Sequence, residues 1–188
     1  MPNQIKVKLI DWMGGDVSVV NAARVSFGKQ KVSNGLDKGD TKLIKYLAKH
    51  RHMSPFGHVF ASFHVKAPIF VARQLVKKQG SSGLSDWNHG VGTGYRDQEQ
   101  EFYDNVLNLY FNMLEAGTAP EQAHMVLPQS TMTEWFWSGS LDAFSDMCDL
   151  RLKDDTQEET RVVAQQIDEY MEQLYPVSWV ALRKDTND

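Results

Sequence analysis

Val59-Phe-Ala-Ser-Phe-His-Val-Lys-Ala-Pro-Ile-Phe-Val-Ala-Arg-Gln-Leu-Val-Lys-Lys-Gln79 carries two periodicities in one run. Val59, Ala61, Phe63 and Val65 alternate with Phe60, Ser62, His64 and Lys66, the pattern of a strand with one buried face. From Pro68 the spacing lengthens, and Ile69, Val71, Ala72, Leu75 and Val76 form the apolar side of a helix. Proline suits the start of that helix, because a first-turn N–H has no intrahelical partner to lose. Upstream, Ile5 to Ile10 alternates Ile, Val and Leu with Lys and predicts another half-buried strand. Asp16 is placed to cap a helix carrying Val17, Val20, Ala23 and Val25. Gly28 to Gly39 reads as a loop, and a second helix is expected from about Asp40, with Leu43, Ile44, Tyr46 and Leu47 on one stripe. Its basic end, Lys49, His50 and Arg51, suits the negative pole of the helix dipole.

Downstream, five glycines between Gly80 and Gly94 predict a loop. A long amphipathic helix is expected from about Glu99 to Gly117, then a short one from Pro120 to near Pro128. Thr131 to Trp137 reads as a strand. Ser140 is expected to cap a helix holding Leu141, Phe144, Met147 and Cys148, and a last long helix covers about Thr156 to Leu174. No repeat or linker divides the chain, so the expectation is one helix-rich α+β domain over residues 1–188.

The chain of 188 residues is 41% hydrophobic and 23% charged, enough to bury a core without covalent staples. One cysteine cannot form an internal disulfide, which fits a reducing compartment. The apolar runs are short and interrupted by Lys, Arg or Gln, so no membrane span is expected. The N-terminus enters a strand-like pattern with no signal-peptide core, consistent with a cytoplasmic location. A net charge of −4 argues against a nucleic-acid-coating surface, while leaving room for a local site for a small anion.

The helix after Pro68 gathers Arg73, Lys77 and Lys78 with Gln74 and Gln79 toward its end, before the glycine-rich loop. Cations on a rigid helix suit phosphate; a solvated face complementing the helix C-terminus explains them as well. The loop His89-Gly-Val-Gly-Thr-Gly-Tyr-Arg96 lacks the spacing and the preceding strand of a dinucleotide-binding turn. His50, His52 and His58 have no Cys or carboxylate at metal-ligand spacing, so no metal site is expected. Ser54-Pro-Phe56 reads as a turn presenting backbone and hydroxyl donors. Cys148 shares a stripe with Leu141 and Phe144 and reads as a core residue rather than a nucleophile. Arg151, between Asp149 and Asp154, reads on its own as a surface ion-pair partner.

Together these segments resemble the flavin-dependent thymidylate synthases. The matching pieces are Ala22-Ala-Arg-Val-Ser-Phe27, His52-Met-Ser-Pro-Phe-Gly-His58, Phe63-His-Val-Lys-Ala-Pro-Ile-Phe-Val-Ala-Arg-Gln74, Val126-Leu-Pro128, Thr133-Glu-Trp-Phe-Trp137 and Leu150-Arg151. They occur in family order and cover most of the chain. The resemblance implies the family fold, helix-rich with a small, mostly antiparallel sheet, and a homotetramer with sites between subunits. It implies methylation of dUMP to dTMP with FAD, NADPH and methylenetetrahydrofolate. Carried over by position, Ser26 and Ser54 contact FAD, Gln74 holds dUMP, and Ser140 and Asp146 stand where family asparagines touch the flavin. Lys77, Lys78 and Gln79 occupy the Arg-His-Arg signature shared between flavin and nucleotide, in the variant form of some phage-type members. Arg151 aligns with the arginine that polarises the uracil ring. A guanidinium suits that place because it stabilises charge developing on the ring and keeps its own proton.

Two departures from the family pattern fall on the nucleotide side. Of the segment that cradles dUMP, Asn88 and the pair Tyr95-Arg96 remain, while His89, glycines and Thr93 replace the acidic and serine positions. His124 stands where a nucleotide-binding arginine is expected. These departures keep open a related dUMP hydroxymethyltransferase, or a non-catalytic flavin- and nucleotide-binding homologue.

Overall fold

Three strands, β1 (Lys6–Met13), β2 (Phe60–Pro68) and β3 (Met132–Ser140), form one antiparallel sheet in that order. The computed structural model describes residues 5–28, 30–31, 35–76 and 96–184. The alternation of β2 appears directly in its burial: Ala61, Phe63, Val65 and Ala67 face the core, and Phe60 is exposed. β1 pairs Lys6 with Lys66 and Met13 with Phe60, with a register shift between Leu9 and Asp11. That irregularity carries the strand past Ile10, where the simple alternation ends.

Two helices, α1 (Asp16–Arg24) and α2 (Lys38–Lys49), separate β1 from β2. The entry to α1 needs glycine at position 14: its φ is +80°, and a Cβ there would lie 2.7 Å from Val59 Cγ1. α3 (Ile69–Val76) follows β2 at once; α4 (Arg96–Glu115) and α5 (Pro120–Ala123) precede β3. α6 (Leu141–Arg151), α7 (Glu158–Leu174) and α8 (Pro176–Lys184) complete the order. α7 packs on β1 and β2, and α6 on β3. The Phe144 ring meets Phe63 edge-on at 5.2 Å and Trp137 at 5.3 Å. Gly139 makes room for that ring, since a Cβ there would sit 3.1 Å from Phe144 Cε2.

Several expected termini move, each for a tertiary reason. Asp16 does not cap α1. Its carboxylate accepts the backbone N–H groups of Val177 (3.0 Å) and Ser178 (2.8 Å), in the first turn of α8. α2 starts before Asp40, because Asp37 is the cap and accepts from Gly39 N (2.7 Å) and Asp40 N (2.8 Å). Asp40 instead lies buried beneath that turn, ion-paired to Arg24 Nη1 at 2.7 Å and accepting from Lys31 Nζ and from the Asp37 N–H at 3.0 Å. Pro68 does not open α3 but closes β2 opposite Met132, where its missing N–H breaks no helical bond. β3 runs to Ser140, three residues beyond the expected end, because β2 offers partners as far as Phe60. α4 ends as expected at Gly117, whose φ of +83° lets Thr118 N reach Met113 O at 2.9 Å. α2 closes the same way without glycine: Arg51 takes φ +55° while His52 N bonds Leu47 O at 2.9 Å.

Candidate functional site

The last turn of α3, the last residue of α6 and the first turn of α7 meet around Gln74. Arg151, ending α6, reaches the main chain of α3: its Nη2 donates to Gln74 O at 2.5 Å. The Gln74 side chain is held from α7. Its Oε1 accepts from the Thr160 hydroxyl at 2.6 Å, and its Nε2 donates to Gln157 Oε1 at 2.8 Å. Thr160 is fully buried, and Gln157 is the N-cap residue of α7. Burial draws the Arg151 guanidinium below its ordinary pKa. An arginine so shifted still carries its charge at neutral pH. The arrangement therefore holds a permanent cation on the main chain of Gln74, whose side-chain amide is held from α7.

Gln74 and Arg151, 77 residues apart in sequence, are thus brought together. Thr160 and Gln157 were not among the residues singled out from sequence. The signal was present for one of them: Thr160 lies on the α7 stripe of Val163, Ala164, Ile167 and Met171, a hydroxyl at a core position. Lys77, Lys78, Gln79 and Asn88 lie outside the described residues, and Arg96 enters as the first residue of α4. Arg73, the remaining cation of α3, is exposed.

The candidate flavin contacts lie on other elements. Ser54 is exposed at the start of a 3-10 turn, Ser54–His58, anchored by the buried Pro55 and Phe56. That turn packs against α1, α6 and β3. Ser140 leads into α6, but its hydroxyl bonds the Asp142 carboxylate at 2.5 Å rather than capping the helix backbone. Asp146 is exposed midway along α6. Ser26 lies in the 3-10 turn Val25–Phe27, where Val25 and Phe27 are 73% and 77% exposed. With 11 residues in α6, its two ends are about 16 Å apart, so Ser140 and Arg151 stand at opposite ends of one rod.

His124 belongs to a third location, stacked on Tyr110 of α4 with ring centroids 5.3 Å apart and planes 5° from parallel. The Tyr110 hydroxyl lies 3.3 Å from His124 Nε2. His50 and His52 pack on the Tyr46 ring at 4.3 Å and 6.1 Å. Among the described residues no group of three or more His, Cys, Asp or Glu is placed to hold a metal ion, and no helix is long and apolar enough to cross a membrane. Cys148 is buried in the core; its thiol faces Ala164 O at 3.8 Å, and burial pushes its pKa up. It is a core thiol, with no thiolate to offer at neutral pH.

An antiparallel three-stranded sheet under a helix layer, with Arg151 bonded to the main chain of Gln74, is a fold with relatives. Residues 8–177 match the family described as "Thymidylate synthase complementing protein", and the chain belongs to that family. Among its relatives is the flavin-dependent thymidylate synthase of Thermus thermophilus, 33% identical over 95% of this chain and 75% of that protein. The enzyme of the same name from Thermotoga neapolitana is 32% identical, covering 95% of this chain and 90% of its own length. Among solved structures, the UMP/dUMP methylase PolB from Streptomyces cacaoi bound with 5-Br dUMP matches with a TM-score of 0.76. It is 28% identical, and the match covers 96% of this chain and 95% of PolB.

Proposed function

We propose that this protein methylates dUMP to dTMP as a flavin-dependent thymidylate synthase, with FAD as flavin and NADPH and methylenetetrahydrofolate as co-substrates. The observation that carries the reading is the contact of Arg151 with Gln74, two positions that the family resemblance assigns to the nucleotide. The relatives' names and the 5-Br dUMP in the PolB structure point the same way.

The chemistry asks for a carbon nucleophile at C5 of the uracil ring, which needs negative charge to be tolerated on the ring oxygens and N3. A fixed guanidinium is suited to this. Arg151 is held by a backbone carbonyl, so little reorganisation is needed as charge develops. Its remaining N–H groups are free of that carbonyl and serve the ring. The Gln74 amide, with both ends placed by α7, orients the nucleotide. Flavin, when bound, supplies the reducing equivalents that turn a transferred one-carbon unit into a methyl group. Exposed hydroxyl and carboxylate groups at Ser54 and Asp146 fit polar contacts to such a group, and the exposed Val25 and Phe27 around Ser26 fit an apolar ring system. No thiol is needed, in keeping with the buried Cys148.

The site is completed in a homotetramer. Two features support this: the separation of Ser140 from Arg151 along α6, and the exposed Phe102, Leu107, Leu109 and Phe111 on α4. The protein is read as one domain, cytoplasmic, with no nucleic-acid partner.

The test is a flavin absorption spectrum of the purified protein with and without dUMP, followed by mass analysis of the nucleotide product. A flavin band perturbed by dUMP and a methylated product are expected. A hydroxymethylated product moves the assignment to the related hydroxymethyltransferase. A colourless protein that binds neither added FAD nor dUMP refutes the proposal.

A further inference from the structure

We propose that Thr160 and Gln157 are positioning residues that together hold the Gln74 amide with an Nε2 proton toward the nucleotide. The inference rests on the reading of Gln74 as a dUMP contact. A carboxamide is nearly symmetric in shape and opposite in function: one end only accepts hydrogen bonds, and the other only donates. A binding site that uses it must decide between the two. Here the decision is made from α7. The Thr160 hydroxyl donates to Gln74 Oε1 at 2.6 Å and pins the amide to α7, while the Gln157 carboxamide oxygen, which only accepts, fixes its polarity. Gln157 Oε1 receives one Nε2 proton at 2.8 Å. The amide nitrogen has a second proton, and that is the donor Gln74 offers to a ligand. The ligand group it fits is an oxygen acceptor of the nucleotide.

Reversing the amide would set Gln74 Oε1 against Gln157 Oε1, two acceptors facing each other, unless Gln157 turned over as well. Thr160 is wholly buried, so no water competes for its hydroxyl or replaces it. The backbone of Gln74 is fixed independently by Arg151 at its carbonyl. Main chain and side chain of one residue are thus held by two helices, α6 and α7.

The experiment measures dUMP affinity of the flavin-loaded protein by titration, with KM and kcat, for the parent and five variants. Thr160→Val keeps the size and removes the hydroxyl. It is expected to weaken dUMP binding about ten-fold, the worth of one neutral hydrogen bond, with kcat at saturation nearly unchanged. Thr160→Ser is expected to restore the parent value. In Gln74→Ala, which weakens binding by itself, adding Thr160→Val is expected to do nothing more, because the group being positioned is gone. Gln74→Glu keeps an acceptor for Thr160 and loses the donor, so it is expected to bind no better than Gln74→Ala.

The inference is overturned if Gln74→Ala weakens dUMP binding while Thr160→Val does not. It is also overturned if the two effects add, which would mark Thr160 as general packing. A Gln74→Glu protein that binds dUMP like the parent overturns it even where Thr160→Val fails to fold. If Gln74→Ala leaves dUMP affinity unchanged, the nucleotide reading of Gln74 is what falls.

Discussion

Replacing Arg151 by alanine removes two things that the geometry keeps distinct. One is structural: Nη2 donates to the Gln74 carbonyl at 2.5 Å, across the ends of α6 and α3. A hydrogen bond from a charged donor contributes roughly 1.5–3 kcal/mol, and partial exposure of the guanidinium places this one at the lower end. For a chain of this size about 1.5 kcal/mol corresponds to a melting point lowered by about 3–6 °C. The other is the cation beside the developing charge on the uracil ring, where losing one preorganised donor typically costs about 100- to 1,000-fold in kcat. The assay pairs thermal melting with dTMP formation at saturating dUMP, on protein whose flavin spectrum shows the cofactor bound. Arg151→Ala should fall by both measures. Arg151→Lys keeps the charge but not the planar fork, so it should recover most of the melting point and only part of the rate. An Arg151→Ala enzyme that binds flavin and turns over within about ten-fold of the parent would falsify the role assigned to this residue.

Asp40 is buried against Arg24 and Lys31, and its pKa is lowered to about 2, chiefly by the Asp37 backbone N–H and then by Lys31. A depressed carboxylate contributes stability above its unfolded pKa, so that contribution is present at neutral pH and lost as pH falls from about 4 to about 2. Asp40→Asn should cost about 3 kcal/mol at pH 7 and flatten that acid limb in urea titrations. Phe144 is 1% exposed between Phe63 and Trp137; Phe144→Ala should cost about 3–5 kcal/mol, read from the denaturation midpoint. Cys148→Ala should lose about 1 kcal/mol and leave kcat unchanged, whereas a large loss of turnover in folded protein would make this thiol a participant after all.

How far the site could be read in advance depended on how each residue announces itself. Gln74 and Arg151 were reachable through the run ending Val-Ala-Arg-Gln74 and the pair Leu150-Arg151, which resemble family motifs. Their contact was not, because nothing near either residue specifies the other. Ser140 looked like a helix cap by residue type, yet its hydroxyl found a carboxylate two residues on. Thr160 and Gln157 escaped because polar residues on a long helix are ordinarily solvent-facing. Only the apolar stripe around Thr160 hinted otherwise.

What the amino-acid order determined by itself is the set of elements: the period-two run into β2, the helical spacing of α3, the glycine stop of α4 and the core position of Cys148. These depend on neighbours within one or two turns, so local sequence suffices to specify them. Tertiary structure alone decided the partners. Asp16 caps a helix 161 residues away, and the Gln74 carboxamide oxygen finds its donor in a hydroxyl 86 residues further along. Such pairings follow from how helices pack on the sheet, since a buried polar group must take whichever partner the packing brings within reach.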